Sequence, residues 1–132
     1  MRWILETEKY IGKPYRHRGK GDRFDCLSLI ISVLNENDYN LPEDDGKEIS
    51  ENWYQDDPER LIQGLKKYGN RIQANLIRSL DVVVFSFQGI PSHVGIMTGR
   101  SHFMHVRQGK TVNISRLKHY KRYLHSVWRM EV

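Results

Sequence analysis

Apolar positions change rhythm once along this chain. In the first half they recur at helical spacing. Leu27, Ile30, Ile31 and Leu34 mark one face at i, i+3, i+4 and i+7, and Leu29 and Val33 add to it. The spacing predicts a helix from residue 26 to about 37, ended by "NLPEDDG". A helix apolar on most sides is buried in the middle of a domain. "MRWILETEKYIG" reads as an earlier amphipathic helix with Trp3, Ile4 and Ile11 on one face. "GKPYRHRGKGDRF", with three glycines and a proline, makes the loop between them. "DPERLIQGLKKYG" predicts a third helix, with Asp57 as N-cap, Pro58 at the first helical position and Gly69 as the stop.

The second half is built of short runs rich in β-branched and aromatic residues. These are "DVVVFSF" (81–87), "HVGIMTG" (93–99), "HFMHV" (102–106), "KTVNIS" (110–115) and "HSVWRMEV" (125–132), with turn signals at Gly89, Gly99 to Ser101 and Gly109. Helices first and an antiparallel sheet afterwards predict an α+β fold. No internal repeat, low-complexity tract or linker interrupts the chain, so residues 1–132 read as a single domain. Trp3, Trp53, Tyr54 and Trp128 read as packing residues.

Composition narrows the class. Hydrophobic residues make up 39% and charged residues 28%, as in a globular domain rather than a disordered chain. No apolar run approaches membrane-spanning length. Glu6 and Glu8 near the start do not fit a signal peptide, which implies synthesis in the cytoplasm and no membrane partner. Net charge is +5, unevenly spread: residues 36–59 carry ten acids and one base, whereas residues 100–132 carry eight bases and one acid. Such asymmetry offers a basic face to a polyanion, although charge runs are more often plain solvated surface. There is no zinc-finger spacing, RNA-recognition signature or P-loop, so no specific nucleic acid partner is expected.

The one cysteine, Cys26, excludes an intrachain disulfide and stands at the first turn of the buried helix. There a thiol meets the positive end of the helix dipole and unpaired N–H groups, which favour the nucleophilic thiolate. Such a nucleophile needs a base, and the base an orienting partner. Of six histidines, His93 and His105 share parity on adjacent predicted strands across the turn at Gly99 to Ser101. A hairpin therefore turns both rings to one face. His102 reads as surface beside the turn, His119 and His125 lie in the basic tail, and His17 lies in the loop. The plainer alternatives are a cysteine used for packing and two histidines with satisfied hydrogen bonds. One Cys and two His also supply three zinc ligands, but no further carboxylate or histidine falls in register, so no metal is expected.

Taken together, "IGKPYRHRGKGDRFDCLSLIISVL", "NLP", "DVVVFSF", "SHVGIMTG" and "HFMHV" resemble the NlpC family of bacterial cell-wall cysteine peptidases, over about residues 11–117. The resemblance implies a papain-like fold in circularly rearranged order, with the cysteine helix ahead of the sheet. It implies a peptidase acting on peptidoglycan stem peptides without a cofactor. By position, Cys26 matches the nucleophile, His93 the base and His105 the polar residue that orients it. Tyr15 and Asp25 match residues beside the thiolate and the substrate's amino end.

The departures are specific. Leu27 and Ser28 stand where the family has serine and glycine, which implies weaker dependence on a free N-terminal L-alanine. Lys20 separates glycines that are usually adjacent, and Leu80 replaces the glycine before Asp81. "DCL" and the acidic insert "NWYQDDPERLIQGLKKYG" resemble the family's phage-tail branch, implying tail proteins as partners and action at the cell wall. The same apparatus would serve a papain-like acyltransferase or deamidase, and the fold alone would serve a non-catalytic tail-tip module.

Overall fold

The computed structural model describes residues 8–15, 26–41, 59–107 and 109–131. Among the described residues two α-helices, α1 (Cys26–Glu36) and α2 (Arg60–Tyr68), precede a six-stranded sheet. Its strands are β1 (Gly69–Ile72), β2 (Val82–Phe87), β3 (Ile90–Met97), β4 (His102–His105), β5 (Asn113–Arg116) and β6 (Leu124–Met130). The order is β1-β6-β2-β3-β4-β5, and every pairing is antiparallel. The α+β expectation holds.

Strand alternation divides the core in two. Val82 and Val84 of β2, Val94 and Ile96 of β3, and Met104 of β4 face the helices, where Leu29, Ile30, Val33 and Leu34 of α1 and Leu61 and Leu65 of α2 cover them. Val83, Phe85, Met97 and Phe103 face the other way, beneath Leu117 and Tyr123 of two short 3-10 turns and Tyr120 between them. Each fully buried aliphatic or aromatic side chain contributes about 1.5–3 kcal/mol, so both layers matter.

Helix α1 is rotated from the predicted phase. Its buried stripe is Cys26, Leu29, Ile30, Val33 and Leu34, whereas Leu27 and Ile31 are half-buried. The thiol thus opens the stripe that faces the sheet. The helix also stops before "NLP": Asp38 takes φ 70°, and Tyr39 N–H donates back to the Leu34 carbonyl at 3.1 Å. A left-handed residue after the last turn closes a helix in this way.

Other expectations shift. Residues 8–12 form a turn rather than the tail of a helix, with Tyr10 buried and Ile11 exposed; Trp3 and Ile4 lie outside the described residues. Asp57 and Pro58 also lie outside them, and α2 is preceded by Glu59, which makes no side-chain cap. Gly69 does end α2, but with extended backbone that any residue adopts (φ −159°). Its need for glycine is space: a Cβ there would meet the Arg129 carbonyl oxygen at 2.6 Å.

Candidate functional site

Strands β3 and β4 pair Ile96 with Met104 and Met97 with Phe103. In this register His93 and His105 are diagonal rather than opposite, yet their shared parity still brings the rings together. His93 Nε2 lies 2.8 Å from His105 Nδ1. The second ring continues outward, with His105 Nε2 2.9 Å from Ser115 Oγ on β5, and Ser115 Oγ donating to Asn113 Oδ1 at 3.1 Å. Asn113 Nδ2 donates to the Thr111 carbonyl at 3.0 Å.

Aromatic rings wall the pair. Phe85 stacks beside His93 with centroids 5.9 Å apart, and Phe103 and Tyr120 pack on His105 at 4.5 and 5.5 Å. His93 and His105 are both buried. Burial makes both rings less basic than an ordinary imidazole, chiefly by removing water from the charged form. The Arg107 guanidinium, which lies over the Phe87 ring, opposes a second positive charge at both. For His105 the side chain of Asn113, just beyond Ser115, works the other way. Both rings are therefore neutral at pH 7.

Cys26 is buried at the start of α1 and packs in one cluster with Val94, Met104 and Val106. His93 and His105 share strand parity with Met97 and Phe103 and pack on Phe85 and Phe103, so their rings lie in the other layer of the core, and α1 approaches the same two strands from the opposite face. Tyr15 is half-buried against the Cys26 cluster, with Leu27 beside that cluster too. Its segment is tied to the run into β5. Gly12 N–H donates to the Val112 carbonyl, Val112 N–H to the Lys13 carbonyl, and Tyr15 N–H to the Lys110 carbonyl, at 2.8–3.0 Å. Asp25 and His17 lie outside the described residues.

Ser115 and Asn113 were not marked by the sequence. "KTVNIS" reads as a strand, but which of its residues face His105 depends on the pairing of His105 with Asn113. Strand parity would have placed 113 and 115 on one face, without saying which. Of the remaining histidines, His102 is half-buried and contacts Ser101, and His119 and His125 are exposed. Among the described residues, no three of His, Cys, Asp or Glu converge in a way that would hold a metal ion. No described helix is long and apolar enough to cross a membrane.

The model of the NlpC/P60 family matches residues 12–129. Among solved structures, the NlpC/p60 domain of the peptidoglycan hydrolase SagA aligns over 94% of this chain and 92% of its own, at 19% identity and a TM-score of 0.66. An NlpC/P60 family protein from Bacillus cereus aligns over 92% of this chain but 36% of its own, at 20% identity and TM-score 0.68. A lipoprotein-like NLP/P60 family protein from Staphylococcus aureus aligns over 94% and 38%, at 20% identity and TM-score 0.63. This chain thus spans well under half the length of the last two. No curated protein matches the sequence. These likenesses extend to the fold, which is papain-like.

Proposed function

The chain belongs to the NlpC/P60 family, and from that premise we propose that it is a cysteine endopeptidase that hydrolyses an amide bond in a peptidoglycan stem peptide. The observation that carries the reading is the buried His93–His105 hydrogen bond, with Cys26 supplying the thiol at the first turn of α1. One imidazole engages the other through Nε2, which leaves Nδ1 of His93 for the reacting proton.

In the proposed reaction the Cys26 thiol gives its proton to His93 as the sulfur attacks the stem-peptide carbonyl. A neutral imidazole suits this general-base role. N–H groups at the start of α1 hold the developing oxyanion. The His93 imidazolium then protonates the leaving amine as the C–N bond breaks, and a thioester remains. Neutral again, His93 takes a proton from water, which attacks the thioester and releases the new carboxylate and the thiol. Tyr15 and Asp25 are assigned to the substrate's amino end, residues 1–132 to one catalytic domain, and the site of action to the cell wall. A place on a phage tail rests only on the "DCL" motif and the acidic insert.

The test is incubation of purified protein with isolated peptidoglycan and identification of new amino termini by mass spectrometry. Cleavage at one stem-peptide bond, lost in Cys26→Ala, is the expected result. Intact peptidoglycan, or cleavage that survives Cys26→Ala, would overturn the reading.

A further inference from the structure

We infer that Asn113 and Ser115 are positioning residues that set the tautomer of His93 from the far end of a one-way hydrogen-bond chain. One group at the end of the chain cannot change roles. The Thr111 carbonyl only accepts, so the Asn113 amide must present Nδ2 to it, at 3.0 Å. That turns Asn113 Oδ1, also an obligate acceptor, towards Ser115 Oγ at 3.1 Å. The single hydroxyl proton of Ser115 is committed to it. Ser115 Oγ must then accept from its other neighbour, His105 Nε2, at 2.9 Å.

The consequence passes through two rings. A neutral imidazole carries one N–H. With the His105 proton on Nε2, its Nδ1 is bare and accepts from His93 Nε2 at 2.8 Å. The His93 proton is therefore on Nε2, and its Nδ1 keeps the lone pair. Register makes this chain: His105 pairs with Asn113, and residue 115 falls on the same face of β5 as residue 113. Both histidines are buried, so water does not compete along the inner half. Reversing the chain would set the Thr111 carbonyl oxygen against Asn113 Oδ1.

This polarity need not change during turnover. When His93 becomes an imidazolium it gains a proton on Nδ1, and Nε2–H continues to donate to His105. No hydroxyl or amide has to rotate between steps, which is the form of preorganisation that lowers barriers. The consequence for catalysis rests on the hydrolase reading above; the tautomer assignment does not.

The experiment is a long-range 1H–15N correlation spectrum of the histidine rings at pH 7.5, with steady-state kinetics on a soluble muropeptide. In the wild type, His93 and His105 should both be Nε2–H tautomers. Ser115→Ala and Asn113→Ala should mix the tautomers of both rings and lower kcat by about tenfold, with KM little changed, at the low end for loss of an orienting partner. Ser115→Thr, which keeps the hydroxyl, and Asn113→Asp, which keeps the acceptor, should restore the wild-type tautomers. A wild-type His93 protonated on Nδ1 would overturn the inference. So would alanine variants with unchanged tautomers, whatever their activity. Because the spectrum needs no substrate, failure of the hydrolase reading would leave the tautomer result standing.

Discussion

Gly95 and Phe103 are fitted to each other: a Cβ on Gly95 would lie 2.6 Å from the Phe103 ring. The ring packs against His105 on its own strand, with centroids 4.5 Å apart. Space is short on both sides, since Phe85 is 5.0 Å from Phe103 and Tyr120 is 5.2 Å away. Gly95→Ala should therefore destabilise the protein by about 1–3 kcal/mol, the usual cost of overpacking. It should also shift the His105 ring resonances. Phe103→Leu in the same chain should recover part of the loss, as read from the urea midpoint. Additive losses in the double variant would show that the two residues do not share this contact.

Acid should weaken the fold through the histidine pair. His93 and His105 are both less basic folded than the ordinary imidazole value of 6.5, with burial as the main cause. Well above pH 6.5 neither the folded nor the unfolded state binds these protons, and stability does not depend on them. As pH falls below that value, the unfolded chain takes up protons that the folded chain refuses. Each ring then removes up to about 1.4 kcal/mol per pH unit. Unfolding free energies measured from pH 7.5 to 5.5 should fall, and His93→Gln or His105→Gln should flatten the slope. A rise in stability on acidification would mean that the fold holds an imidazolium beside a buried anion, and the proposed base chemistry would begin from an ion pair.

Leu80 should invert the usual ranking of alanine over glycine. Its φ of 73° is left-handed, a conformation that costs a side chain about 1–2 kcal/mol and glycine little. Leu80 is buried all the same, and its N–H donates to the Met97 carbonyl at 2.8 Å. Both Leu80→Gly and Leu80→Ala lose the buried side chain, at about 2–5 kcal/mol, but only the glycine variant also relieves the backbone. Leu80→Gly should be less stable than wild type yet more stable than Leu80→Ala by about 1 kcal/mol. Thermal midpoints of the two variants in the opposite order would remove the strain argument.

Leu80 also shows what could be read from the chain alone. Its departure from the family glycine was visible, but its left-handed backbone was not. The shared parity of His93 and His105 was legible because alternation is a local rule; their diagonal offset required the register of Ile96 with Met104. Helix α1 was legible in extent, but not in phase. Apolar residues at 27 and 31 are as hydrophobic as those at 29 and 33, and only the sheet selects among them. Strand β1, "GNRI", was missed because Asn70 and Arg71 are exposed and carry no apolar alternation. Its pairing with β6, from Gly69 with Met130 to Ile72 with Val127, makes it a strand. The N-terminal helix was expected from Trp3, Ile4 and Ile11; of these Ile11 is exposed, while Tyr10 takes the buried place.

The backbone bonds that lace residues 12–15 to residues 110–112 have a consequence in time. Gly12 and Val112 stand a hundred positions apart, so this closure cannot form until residue 112 has been made. Distant contacts of this kind are costly in loop entropy and come late in folding. Asn113 follows directly on Val112, so the support of His105 is ordered in the same event that seats Tyr15. A nascent chain with residue 112 still inside the ribosome has neither. For a protein of the proposed activity, translation itself would then act as a timer, withholding a competent site until residues 110–115 have left the ribosome.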